Sequence, residues 1–323
     1  MDPAVSGRTA KAGMLSVGLA VILVLAGCAV LPERTILGER PPTEVGNVPV
    51  YMQSRYQCGP ASLAMVMAWG GAETTPEALV PIVFSPGLKG SIQPSMIAAA
   101  RRQGFLAVEI SGLEALYEEM AAGHPVIVLE DLGALWMHRW HYSVAVGIAP
   151  SRNRIVLHTG RDAPQARDLD RFLKSWSASD YWGLVVLPPG RLPSGSSLGA
   201  VLNAILGLEQ SGHPEGAAAS YRTALARWPE SPEVRFGLGN SLYQSGDRAG
   251  ARKSFRELCD RAPAFAPGCN NLAHVLMEDG RLDEALSAAE KALAAGGAQD
   301  EIYRETLEEI RSAIQSRKSR PGN

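Results

Sequence analysis

The chain has 323 residues, 46% of them apolar, with 31 Lys+Arg against 33 Asp+Glu and a formal net charge of −2. That length holds about two domains of ~100 to 200 residues each, and the apolar share excludes a fully disordered or fibrous chain. The charge balance lacks the basic excess with which proteins grip phosphate backbones, which excludes nucleic acid as an expected partner.

Arg8 and Lys11 precede an uncharged, mostly apolar run from Met14 to Ala26. The run is too short to span a bilayer comfortably and has the length of the apolar core of an export signal. It ends in Leu25-Ala26-Gly27-Cys28, which resembles a bacterial lipoprotein box. The resemblance implies that residues 1–27 are a signal peptide, that Cys28 is lipidated and becomes the first mature residue, and that the lipid holds the protein to a membrane surface. An ordinary signal peptide or an anchor with an incidental cysteine is the alternative. Residue 29 is Ala, not the Asp that retains such proteins at the inner membrane. The expected location is therefore the bacterial cell envelope, at the outer membrane facing the periplasm. Loss of residues 1–27 removes Asp2, Arg8 and Lys11 and leaves a net −3. Residues 28–47, with Pro32, Pro41 and Pro42, read as a lipidated tether.

A compact domain is expected over residues 48–187. Helix-like stretches run from Ala61 to Trp69, from Met96 to Gln103 and from Leu113 to Ala122. Short β-branched runs at Val126 to Leu129, Tyr142 to Ile148, Arg154 to His158 and Gly183 to Leu187 carry the strand signature. Helices first and strands later predict an α+β domain with an antiparallel sheet.

Residues 188–197, rich in Pro, Gly and Ser, read as a stiff exposed linker. Beyond it, an offset of 34 aligns Gly212, Gly246 and Gly280, and also Ala217, Ala251 and Ala285. Tyr221 and Phe255 share the large aromatic position, and Pro229 and Pro263 end their units. This pattern resembles the tetratricopeptide repeat, an all-α array of paired helices. Three units are expected over 198–299, followed by a capping helix over 300–317 and a disordered tail over 318–323. Ala289 and Gly297 weaken the third unit. Such an array offers a concave groove for a protein or peptide partner, or serves only as a spacer.

The stretch from Gln53 to Val66, QSRYQCGPASLAMV, concentrates the chemistry. A cysteine where Gly59 and Pro60 open an apolar helix sits at the positive end of the backbone dipoles, which favours thiolate and makes Cys58 a candidate nucleophile. A buried structural cysteine is the bland alternative. The segment resembles the papain-like cysteine peptidases that process bacteriocin leader peptides. That resemblance implies that Gln53 matches the family's glutamine, whose amide stabilises the oxyanion together with the Cys58 N–H; Gln57 is the rival. It also implies that His141, which opens His141-Tyr142-Ser143-Val144-Ala145-Val146-Gly147, is the general base, able to pair with Cys58 as imidazolium and thiolate. His138 is the runner-up. Trp136 and Trp140 flank it, either lining a substrate groove or filling a core edge. His124, His213 and His274 have local roles. The family's carboxylate on the next strand falls here on Thr159, so either Asp162 swings in or the site works as a dyad.

The same arrangement of peptidase domain, proline-rich link and repeats occurs in a family of bacterial lipoprotein-like cysteine peptidases. Residues 86–93 and 98–102 are similar to that family too, and read simply as a Gly-bearing loop with Ser91 as a helix cap and a helix with exposed arginines. Cys259 and Cys269, ten residues apart at the join of two repeats, form a disulfide or are buried separately. No metal or organic cofactor is implied, since the four cysteines lack zinc spacing. The leading function is a lipid-anchored cysteine peptidase acting on a peptide or protein recruited by the repeats. The alternatives are a peptide-binding scaffold that does not cut, and an acyl transferase.

Overall fold

The structure is a computed structural model that describes residues 36–134 and 136–319. The signal peptide expected over 1–27, Cys28 and the end of the tail at 320–323 lie outside the described residues. The first domain contains β1 (Thr43–Glu44), α1 (Cys58–Trp69), α2 (Pro76–Val83), α3 (Gln93–Arg102), β2 (Leu106–Ser111), α4 (Leu113–Ala121), β3 (Val126–Asp131), β4 (Trp140–Ala149), β5 (Arg154–His158), β6 (Gln165–Asp168), α5 (Leu169–Trp176) and β7 (Trp182–Leu187). The sheet runs β2-β7-β3-β4-β5-β6, every pair antiparallel, with β1 added to β4.

Several elements differ from their expected bounds for local reasons. α1 opens at Cys58 itself, three residues before the expected start, because Pro60 fits the first turn of a helix and ends nothing there. α2 has Thr75 accepting from the Ala78 N–H as its cap and tolerates Pro81 inside. β2 and β6 escape the strand signature because Glu109 and the polar run Gln165–Asp168 interrupt it; pairing with β7 and β5 supplies the missing support. In α1 every residue from Cys58 to Met67 is buried, so the helix is enclosed by α2, α3 and the sheet and shows no amphipathic stripe.

One feature of the register matters for the site. β4 pairs with β3 from Trp140 onward, but with β5 only from Val144, opposite His158. Residues 140–143 therefore have no strand on their β5 side.

The second part of the chain is a row of antiparallel helices: α6 (Leu198–Gln210), α7 (Pro214–Arg227), α8 (Pro232–Gln244), α9 (Arg248–Arg261), α10 (Ala266–Glu278), α11 (Leu282–Ala295) and α12 (Asp300–Lys318). Gly212, Gly246 and Gly280 all have left-handed φ, +89°, +86° and +74°, which lets each pair turn. Ala217, Ala251 and Ala285 are fully buried where paired helices approach. The Tyr221 ring lies so close to Gly237, on the next helix pair, that a Cβ there would meet it at 2.3 Å. A disulfide joins Cys259 of α9 to Cys269 of α10. Among the described residues no helix is long and apolar enough to cross a membrane.

The connection between the two parts is exposed at Pro189, Arg191, Ser194, Gly195 and Ser197, yet it is also held by hydrogen bonds to both parts. Pro193 is buried. The Ser194 N–H donates to the buried Glu119 carboxylate at 2.7 Å, and Arg227 donates to the carbonyls of Pro193 and Ser194 at 2.8 and 2.6 Å. Composition marks where regular structure stops, but it is the facing charged groups that fix the backbone. The His213 ring also donates to the Arg102 carbonyl at 2.9 Å, tying the first repeat to α3.

Replacing both Cys259 and Cys269 with Ser is expected to destabilise the array by about 2 to 3 kcal/mol, because the unfolded chain regains the freedom of the loop they close. Urea unfolding followed by far-UV circular dichroism measures it; an unchanged midpoint would count against the clamp.

Candidate active site

Cys58 is the first residue of α1 and is buried, with its sulfur on a cavity of about 730 Å³. The helix has no side-chain cap, Gln57 at the N-cap making no such bond, so the first N–H groups point at the sulfur. Burial pushes the Cys58 thiol above its ordinary value, while the backbone N–H groups of Tyr142, Gly59 and Cys58 pull the other way. The Tyr142 contact falls in the stretch of β4 that β5 leaves unpaired. The amino end of α1 thus occupies the place of a missing strand.

Gly59 is required by packing. A Cβ there would lie 2.4 Å from Ser91 Oγ, which presses on the start of α1. The Ser91 carbonyl accepts from Tyr142 Oη at 3.3 Å, so one loop residue touches the helix bearing Cys58 and the strand bearing His141. Ser91 Oγ is buried and unpaired. In the sequence Ser91 reads only as a helix cap, yet the N-cap of α3 is Ile92.

Gln53 is placed from the other side. Its N–H donates to the Gly160 carbonyl at 3.0 Å, and its amide lies over Gly160, where a Cβ would come within 2.5 Å of Oε1. Gln53 Oε1 is buried without a partner. Gly160 has φ +74°, a conformation that also selects glycine.

His141 is the second residue of β4, one residue from the Cys58 contact. Burial lowers its imidazole to about 4; a hydrogen bond to the Thr159 backbone opposes this, and the charges of Arg139, Arg167 and Arg161 add to it. Among the described residues, no hydrogen bond joins Cys58 Sγ to the His141 ring. Strand alternation sets His141 with Glu130 and Ser143, and Tyr142 with Leu129, on opposite faces. Leu129, Tyr142 and Cys58 line the cavity together. Burial raises the Cys58 thiol and lowers the His141 imidazole, and both shifts act against the thiolate–imidazolium pair expected from the sequence. The helix dipole is present, but the cost of desolvating both charges exceeds it.

The third position is also resolved. Thr159 is buried and its hydroxyl is unpaired, so it is the Thr159 backbone that holds the ring. Asp162 is exposed, and the charges acting on His141 are arginines, with Asp162 not among them. His138 lines the Cys58 cavity; its Nδ1 lies 2.5 Å from Asp131 Oδ2, and its ring stacks on Trp140 at 5.8 Å. Trp140 and Trp136 are exposed, at 47% and 79%, so they fill no core edge, and Trp140 also lines the cavity. The remaining histidines are engaged locally: His124 with Glu119, His213 with Arg102, His274 with Thr306 and His158 with the Pro49 backbone.

Cys58 thus opens a helix on a cavity that neither His141 nor Gln53 lines, His141 standing one strand residue from the Tyr142 contact and Gln53 against Gly160, in an α+β domain continued by a helical repeat array. Residues 45–182 match the model of the Peptidase_C39 like family, and residues 202–266 and 266–295 match tetratricopeptide repeat models. The chain carries a Peptidase_C39-like domain followed by tetratricopeptide repeats.

Similar solved structures include the peptidase domain of Streptococcus ComA, a bi-functional ABC transporter involved in quorum sensing. It is 20% identical over 44% of this chain and 99% of that one, with TM-score 0.38. The type III secretion translocator chaperone SycD of Yersinia enterocolitica is 18% identical over 36% and 86%, with TM-score 0.34. The Sgt2 repeat domain of Aspergillus fumigatus is 17% identical over 38% and 84%, with TM-score 0.35. No curated protein matches the chain.

Two outcomes are expected from this geometry. Because the folded His141 value lies below the unfolded one, its contribution to stability is intact above pH 6.5 and is lost as the pH falls towards 4, by on the order of 3 kcal/mol. His141→Gln should flatten stability across that window in denaturant titrations, and an unchanged slope would contradict the burial of the ring. Gly59→Ala should displace the Ser91 loop at a cost of about 1 to 3 kcal/mol and slow iodoacetamide alkylation of Cys58; equal rates in the two proteins would show that the contact does not shape the sulfur's surroundings.

Proposed function

We propose that the protein is a cysteine peptidase, lipid-anchored through Cys28 in the bacterial cell envelope at the outer membrane facing the periplasm, which hydrolyses peptide bonds of a partner recruited by its repeats. The observation that carries the reading is the seating of the Cys58 sulfur against the β4 backbone one residue from His141, open to a cavity of about 730 Å³. The tether over 28–47 and the removal of residues 1–27 belong to the same proposal, as do the domain limits 48–187 and 198–299.

In this mechanism Cys58 Sγ attacks the substrate carbonyl carbon while its proton passes to His141. With both groups neutral at rest, proton transfer accompanies the attack. The oxyanion is met by the Gln53 side-chain amide and the Cys58 N–H. Collapse breaks the C–N bond, the leaving amine takes the proton from His141, and water then hydrolyses the thioester.

A second reading, a scaffold that binds peptides without cutting them, is favoured by the lowered imidazole and by the lack of a carboxylate at position 159. Acyl transfer to an amine differs from hydrolysis only in the acceptor, and product mass separates the two.

Labelling of the mature protein by a peptidyl electrophile, with the modified residue mapped by mass spectrometry, tests the reading. Cys58→Ala should abolish labelling, and Gln53→Ala should reduce turnover by about a hundredfold through loss of an oxyanion donor. Equal behaviour of wild type and Cys58→Ala would leave the scaffold reading.

A further inference from the structure

With threonine at position 159, the His141 ring has no carboxylate on the strand where such a partner is expected, but the facing strand carries one. Glu130 is the direct cross-strand partner of His141 in the β3–β4 register. Such partners have Cβ atoms about 5 Å apart. It is fully buried and follows the apolar run Val126-Ile127-Val128-Leu129, with Asp131 ending the strand after it. Its oxygens accept from Arg167 Nη1 at 2.9 and 3.0 Å, from Ser175 Oγ at 2.8 Å and from Ser143 Oγ at 3.2 Å. β6, α5 and β4 thus each contribute a donor to fix one carboxylate.

Glu130 is fully buried while Arg167 keeps a quarter of its side chain exposed, and burying a carboxylate in such a pair can cost more desolvation than it returns as stability, so packing alone does not call for it in an apolar sheet. We propose that Glu130 is a positioning residue for His141, supplying from the facing strand the negative charge that position 159 lacks, with Arg167 holding the carboxylate in place and moderating its charge. The inference rests on the peptidase reading above.

During attack the thiol proton moves to His141, and the positive charge that appears on the ring is met by Glu130 across the strand pair. Glu130 and Arg167 exchange no proton, and the ring surrenders its proton to the leaving amine. The other charged groups acting on the ring are Arg139 and Arg161, with Asp131 bound to His138 at the end of the same strand pair. Three arginines lower the ring, and one of them, Arg167, is the arginine that donates to Glu130.

The test uses the mature protein and follows Cys58 labelling by a peptidyl vinyl sulfone from pH 4 to 9, with iodoacetamide as the small control. Arg167→Met leaves the Glu130 charge uncompensated and should move the acid limb of the profile to higher pH. Glu130→Gln should move it to lower pH and slow labelling at pH 7 by about tenfold. A purely structural role would impair both variants alike. The double variant Glu130→Leu/Arg167→Met removes both charges with apolar chains, should keep a wild-type thermal midpoint, and should still label about tenfold more slowly. It decides the matter if a single variant does not fold. Shifts in the same direction, unmoved limbs, or a double variant labelled at the wild-type rate would each overturn the inference while leaving the peptidase reading intact. A wild type that reacts with iodoacetamide at Cys58 but never with the peptidyl probe would sink that reading, and this inference with it.

Discussion

The site depends on one packing constraint: the amino end of α1 fills the gap on β4 that β5 leaves open by pairing only from Val144 onward. That seat brings a sulfur, several free N–H groups and the Tyr142 backbone together without any catalytic side chain holding another. Gly59 and Gly160 exist to allow the approach. One admits Ser91 against the helix start, and the other admits the Gln53 amide against the loop after β5. A methyl group at either position would collide with its neighbour, and the edge would open.

The electrostatics of the seat follow from its burial. The helix start favours thiolate, as do three backbone N–H groups, but burial opposes them and raises the thiol above its ordinary value. The same balance acts on His141, with arginines in place of the carboxylate that would stabilise imidazolium. A resting site of neutral groups needs a substrate-bound transition state to spend its hydrogen bonds, which is where binding energy is most effective in catalysis. The oxygens of Gln53, Ser91 and Thr159 are buried and unpaired, with Ser91 against the start of α1 and Gln53 against Gly160, the residue after Thr159.

The repeat array is continuous with the first domain through fixed contacts. Glu119, Arg227 and His213 hold the connecting backbone and the first repeat. In the array itself Gly237 lies under Tyr221 of the preceding unit and Gly239 under Phe255 of its own helix pair, so the aromatics that mark the repeat in sequence pack both between and within units.

The sequence by itself determined whatever depends on local pattern: the 34-residue repeat, the α+β order, the candidate pair Cys58 and His141, and the glycines whose backbone no other residue adopts easily. It did not give β6, whose polar residues form a strand only because β5 is there to pair with them. It also did not give Glu130, although an acid directly after a run of Val, Ile and Leu was a visible signal. Tertiary structure decided the protonation of the thiol and imidazole, which face His141 and Tyr142 take, and which carboxylate stands opposite the ring. These quantities are set by desolvation and by neighbours distant in the chain, and neither has a period that can be read along a sequence.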